Sequence, residues 1–155
     1  MVVITNIQND KFDSSEYSKF CIDTWKTYCG NLGIPLKILT EDKYINPHFS
    51  YLSVFDEVDV DKVIVVDSDT MINPKTPNLF KLFDGTLTVV RDYSRLDGII
   101  SKRMSIRVNE FDSMFEYQID KTKFFNTGVM MFHRNHKNFL NKCKNWVHKN
   151  YDNIL

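Results

Sequence analysis

Asp61-Lys62-Val63-Ile64-Val65-Val66-Asp67-Ser68-Asp69-Thr70 is the stretch whose reading decides the fold. Residues 63–66 are an unbroken β-branched run, the pattern of a strand buried on both faces. Asp67 and Asp69 stand two residues apart where that strand should leave its sheet. In open α/β sheets, ligands bind outside the carboxyl ends of the strands. A strand end is also a place where two acids can converge without burying an unpaired charge. Hard oxygen donors at this spacing suit Mg²⁺ or Mn²⁺, and such a metal suits a diphosphate. The competing reading is a solvated turn, since Asp and Ser are good turn formers. Spacing alone does not separate the two.

Working outward, the flanks alternate between strand and helix signals. Residues 2–5 read as a first strand ending at Asn6. Asp13 then serves as an N-cap with Glu16 completing a capping box, and Phe12 and Tyr17 are placed for a hydrophobic staple. Tyr17, Phe20, Cys21, Trp25 and Tyr28 follow at helical spacing, and Gly30 or Gly33 ends the helix. Residues 36–39 read as a second strand. Asn46-Pro47 opens a helix to about Asp56, with Tyr51, Leu52 and Phe55 inward. Thr76-Pro77 opens a short helix by the same logic. Residues 86–90 and 126–132 read as further strands, with a helix between about 103 and 117. Residues 135–151 form a last helix with Phe139, Leu140, Cys143, Trp146, Val147 and Tyr151 on one face. This alternation predicts an α/β three-layer sandwich around a mostly parallel sheet. Residues 91–123 are the longest weakly patterned stretch and the natural candidate for a loop over the site.

Composition bounds the partners. With 155 residues, 43% hydrophobic and 14% aromatic, the chain reads as one globular domain, residues 1–155. Zero formal net charge argues against nucleic acid as the main partner, since binding phosphates would need a basic excess. No apolar run approaches the roughly 18–20 residues needed to span a bilayer, and no secretory leader is visible. Three cysteines without a framework pattern fit a reducing, cytoplasmic compartment. Cys21 and Cys29, on one helix, would lie about 12 Å apart, too far for a bridge.

The segment 61–70 resembles the DxD region of the GT-A glycosyltransferases, in which an aromatic-Asp-Lys-Val opening and an apolar run lead into Asp-x-Asp-Thr. A second match is Phe124-Phe125-Asn126-Thr127-Gly128-Val129-Met130-Met131. It is similar to the F-N-x-G-V-M strand of the same enzymes, especially the glycogenin-like and lipopolysaccharide-transferase branch. The Asn78-Leu79-Phe80-Lys81-Leu82-Phe83 segment fits the Leu-Phe helix that often follows the DxD. A DxD alone is a weak signal; these elements in this order make a strong one.

The resemblance implies a GT-A fold and a hexosyltransferase-type enzyme. It would move a sugar from a nucleoside diphosphate sugar, by resemblance a UDP-sugar, to a glycan or protein acceptor, using Mn²⁺ or Mg²⁺. By this resemblance Asp69 ligates the metal, and Asp67 contacts the metal or the ribose. Ser68 belongs to the same cofactor-binding turn. Thr5 and Asn6 lie beside the nucleobase, Asn126 offers an amide to sugar hydroxyls, and Gly128 admits a close backbone approach. The sequence departs from the pattern in two places. It stops at Leu155, where relatives usually continue with an Asp-Gln segment and a His that supplies a last metal ligand. Ser50-Tyr51-Leu52 stands where a Lys is often found. Three alternatives stay open: a nucleotide-sugar-binding domain without its own turnover, a structural α/β module with a fortuitous DxD, and a nucleotidyltransferase. The last would want a Gly-rich basic loop after the first strand, where this chain has Asn6-Ile7-Gln8-Asn9-Asp10-Lys11.

Further charged residues follow the strand at 86–90. Asp92 or Asp97 is the candidate acid for activating an acceptor hydroxyl, against the reading of Arg91, Asp92, Arg95 and Asp97 as a surface loop of weak ion pairs. Lys102, Arg103 and Arg107 suit phosphate oxygens, or a solvated helix face. His133 and His136, three residues apart, invite a metal reading. A hydrogen-bonded structural role is the better one for a His at a strand end. Cys21, Cys29 and Cys143 read as small buried hydrophobes, and Trp25 and Trp146 as core.

Overall fold

The computed structural model describes residues 1–5, 16–39, 47–91, 113 and 125–154. Strands β1 (Val2–Thr5), β2 (Leu36–Leu39), β3 (Lys62–Asp67), β4 (Thr88–Arg91) and β5 (Phe125–His133) form one sheet in the order β2-β1-β3-β5-β4. β1 pairs in parallel with β2 and β3. β5 is antiparallel to both β3 and β4. Four strands therefore run one way, and β5 runs against them.

Strand alternation divides the core into two layers. Val3, Val63, Val65, Met130 and Phe132 face Leu52, Val54, Phe55 and Leu140. Val2, Ile4, Ile64, Val66 and Met131 face Trp25, Tyr28 and Cys29. The first layer is closed by α2 (Val54–Glu57) and α3 (Lys137–Ile154), the second by α1 (Glu16–Leu32). This is the α/β three-layer sandwich expected from the alternation of strands and helices. Val63, Ile64 and Val66 are fully buried, which is why β3 reads as an unbroken apolar run: each of its faces meets a helical layer.

The α1 pattern holds in part: Cys21, Trp25 and Tyr28 are buried together with Ser18 and Cys29, whereas Tyr17 and Phe20, expected on the same face, are 55% and 59% exposed because the first turns of the helix lie beyond the layer that the sheet covers. Of the two candidate terminators, Gly33 is the one used. It takes φ +62°, and Ile34 N–H donates to Cys29 O at 2.9 Å while Gly33 N–H donates to Gly30 O at 3.3 Å. That pair of bonds is a Schellman closure, and glycine takes the left-handed conformation without a Cβ penalty.

Several boundaries differ from expectation. Pro47–Ser53 winds as a 3-10 helix before the single turn of α2. The short helix after Pro77 is 3-10, Leu79–Leu82, and its cap is Asn78, whose side chain accepts from Phe80 N–H. β4 starts two residues late because Thr86 is held by Asp84, which accepts from both its N–H and its hydroxyl. At the end of β5, Arg134–His136 makes a 3-10 turn before α3. Phe139, expected inward on that last helix, is 52% exposed. It borders an apolar cavity of about 500 Å³ between α3 and the sheet, with Tyr51, Met130, Phe132 and Trp146 also on its wall. The expected helix at about 103–117 falls outside the described residues. No helix among the described residues is long and apolar enough to cross a membrane.

Candidate functional site

The site is built where the chain changes direction across the sheet. From β1 the chain passes through α1 to β2 on one side, then returns past β1 to β3 on the other. Between β1 and β3 the strand order therefore reverses, the place at which open α/β sheets bind ligands outside the carboxyl ends of their strands. Thr5 and Asp67 are paired across that point. The Thr5 hydroxyl lies 3.1 Å from Val66 O and 3.4 Å from Asp67 Oδ1, and donates between them. Thr5 is 3% exposed, so its hydroxyl is turned into the sheet and steadies Asp67.

Past β3 the chain turns at once. Thr70 N–H donates to Asp67 O at 3.1 Å. Within the turn Asp67 is half-buried, Ser68 buried and Asp69 exposed. The Ser68 hydroxyl finds no hydrogen-bond partner among the described residues. Asp67 continues the face of Val63 and Val65, and its charge helps raise the Tyr51 hydroxyl pKa, a shift caused first by burial. Asp69 acts on the opposite layer. The Cys21 thiol is pushed up, first by burial and further by the Asp69 charge. Tyr17 is raised by its hydrogen bond with Cys21, with a smaller contribution from Asp69.

Helix α1 pins the chain that follows. Trp25 Nε1–H donates to Thr70 O at 2.8 Å, and Thr24 Oγ1 accepts from Ile72 N–H at 3.1 Å. One turn on, Tyr28 OH donates to Pro77 O and accepts from Leu79 N–H. The aromatic residues read as plain core thus also hold the segment after the two carboxylates. The available signal was the polar tip of each ring: a buried indole N–H or phenol O–H needs a partner.

The second motif reaches the same edge because β5 is antiparallel. Its amino-terminal part, not its carboxyl end, lies beside the end of β3, with Val129 opposite Val66. The register with β4 then jumps. Val89 faces Met130, whereas Val90 faces Asn126 and Arg91 faces Phe125. Residues 127–129 stand out from the β4 ladder, and Thr70 Oγ1 donates to Gly128 O at 3.3 Å. One hydrogen bond therefore joins the Asp67–Asp69 turn to the Asn126–Gly128 segment.

Strand direction also removes a candidate. His133 pairs with Lys62 at the far end of β3, about 16 Å from Asp67 at ~3.3 Å per residue. Its Nδ1 accepts from Asn135 N–H at 3.2 Å, and His136 Nδ1 accepts from His133 N–H at 3.0 Å. The pair caps the 3-10 turn before α3. Asn6, Asp92 and Asp97 lie outside the described residues, as do Arg95, Lys102, Arg103 and Arg107.

Among the described residues, no three His, Cys, Asp or Glu side chains converge as a metal cage. The carboxylates at the carboxyl end of β3 are Asp67, half-buried, and Asp69, exposed. Mg²⁺-like ions are commonly held by one or two carboxylates plus substrate phosphates and water, so the chemistry of these two donors is of the kind such an ion would accept.

No family model matches the sequence, and no curated protein matches it. Among solved structures, the fold is similar to that of a glycosyltransferase involved in the glycosylation of the major capsid of PBCV-1, with TM-score 0.60 and 14% identity. That likeness covers 94% of this chain and 66% of the other. A second likeness is to the apo form of the glycosyltransferase GlyE of Streptococcus pneumoniae TIGR4, with TM-score 0.50 and 14% identity, over 99% of this chain and 40% of that one. The chain thus spans under two thirds of the length of either structure and shares its fold with glycosyltransferases.

Proposed function

We propose that this chain is the nucleotide-sugar-binding and catalytic domain of a metal-dependent GT-A glycosyltransferase. It takes a nucleoside diphosphate sugar, by the motif resemblance a UDP-sugar, and transfers the sugar to a hydroxyl of a glycan or protein acceptor. The observation that carries the reading is the junction of the two motifs: the Thr70–Gly128 bond joins the Asp67–Asp69 turn to the Asn126–Gly128 segment at the β3–β5 side of the strand end. The shared fold with glycosyltransferases supports it.

In this reading Asp69, exposed at the rim, supplies a direct metal ligand. Asp67, steadied by Thr5, contacts the metal or the ribose. Bound there, Mn²⁺ or Mg²⁺ would offset charge on the departing diphosphate. The Asn126 amide meets sugar hydroxyls, and Gly128 leaves room for the donor against the backbone. Asp92 or Asp97 takes the proton from the acceptor hydroxyl if configuration inverts. Calorimetric titration with UDP tests the reading. Binding is expected with Mn²⁺, absent with a chelator, and lost in Asp69→Ala. Equal UDP binding with and without metal, or none in either case, would refute it. Release of free sugar from a UDP-sugar by the isolated chain would set this reading apart from donor binding without turnover.

A further inference from the structure

Asp69 makes no hydrogen bond or ion pair among the described residues. Its carboxylate is therefore placed by the backbone of its turn, and the residue that anchors that turn is Thr70. Thr70 reaches three elements at once. Its N–H donates to Asp67 O at the end of β3. Its carbonyl accepts from Trp25 Nε1 on α1 at 2.8 Å. Its hydroxyl donates to Gly128 O on β5 at 3.3 Å. Residues 127–129 stand outside the β4 ladder, and this contact ties them to the turn. A Thr side chain is stiff about χ1, so the hydroxyl is held in one direction.

We propose that Thr70 is a positioning residue that fixes the Asp69 carboxylate and the 127–129 segment in one relation. Cation–diphosphate binding on one side and the sugar-facing edge of β5 on the other then adjust together. This rests on the nucleotide-sugar reading above. The coupling differs from plain stabilisation because it depends on one hydroxyl, not on the volume of the side chain.

The test compares Thr70→Val, which keeps shape and removes the hydroxyl, with Thr70→Ser, which restores it. Two measurements are made on the full chain. In ligand-free protein, amide exchange of residues 127–129 and of 68–70 should rise together in Thr70→Val, about three- to tenfold, the factor one lost hydrogen bond gives. Thr70→Ser should exchange as wild type does. Calorimetry with UDP and Mn²⁺ should show affinity about tenfold weaker in Thr70→Val, the usual cost of losing a group that orients a ligating carboxylate, and near wild type in Thr70→Ser. If the valine variant does not fold, Thr70→Ala takes its place. Wild-type exchange and affinity in Thr70→Val would overturn the proposal, as would a serine variant no better than valine. If wild-type protein binds no UDP with Mn²⁺, the nucleotide-sugar reading falls, while the ligand-free exchange still decides whether the tether exists.

Discussion

Replacing Trp25 by Phe should weaken both the fold and the site, by amounts that can be worked from its contacts. The ring is 2% exposed, and its Nε1–H donates to Thr70 O at 2.8 Å. Phenylalanine keeps a ring but removes the donor and the pyrrole portion of the indole. Losing the hydrogen bond costs about 1 kcal/mol. Losing two or so buried carbons costs about 1–2 kcal/mol more, at roughly 0.8 kcal/mol each. The sum is about 2–3 kcal/mol. In a domain of this size each kcal/mol lowers Tm by about 2–4 °C, so the melt should fall by roughly 4–12 °C. Urea unfolding with linear extrapolation gives the free energy directly, and an unchanged slope would show that the denatured state is unaltered. Substituting an indole isostere with sulfur in place of the N–H should recover the packing share and leave only the hydrogen-bond loss. A Trp25→Phe loss under about 0.5 kcal/mol, the size of an ordinary surface change, would refute the role given to the indole.

Two further outcomes follow from contacts away from the candidate site. Asp56 joins α2 to α3 through Lys137 at 3.1 Å and Lys144 at 3.2 Å. Burial alone would raise its carboxyl pKa, but the bonds and charges of the two lysines outweigh it and hold the group below the usual range. A depressed carboxylate stabilises the fold above its unfolded pKa of about 3.9 and loses that contribution as pH falls through the folded value. Asp56→Asn should therefore be less stable than wild type by about 0.5–1 kcal/mol at pH 7. Melts repeated toward pH 2 should show the gap closing below about pH 4, and a gap constant across that range would contradict the pairing. His133→Asn should leave Mn²⁺-dependent UDP affinity within about twofold of wild type, since the imidazole caps a turn at the opposite edge of the sheet. A tenfold loss by calorimetry would return it to the metal site.

Much of the architecture was legible because its signals are local. The β-branched run of β3 and the spacing of Cys21, Trp25, Tyr28 and Cys29 on α1 each report burial directly. Strand direction was not legible. A run such as 126–132 reads the same whichever way it enters the sheet, and the antiparallel insertion of β5 moved His133 to the wrong edge for a ligand. The cap at Asn78 was hidden by Thr76-Pro77, an equally good opening whose carbonyl is instead used by Tyr28. Of the candidate site, the two carboxylates and the Asn126–Gly128 segment were visible from residue types. The contacts that join them, from Trp25, Thr70 and Thr5, were not. Those bonds link positions far apart in the chain, and nothing in local pattern shows which buried hydroxyl or indole will meet which carbonyl.

The Arg91–Phe125 pairing has a consequence for how such a domain can diversify. The residues that flank the stretch 92–124 are stapled side by side on neighbouring strands. The closure cost of a chain tied at both ends grows only logarithmically, with each doubling of length adding about 0.6 kcal/mol. Changes of length between these two anchors therefore add little closure cost to the pairing that holds them. The β4–β5 pairing, β1, β3 and the Asp67–Thr70 turn can therefore stay as they are while the length of chain between Arg91 and Phe125 varies.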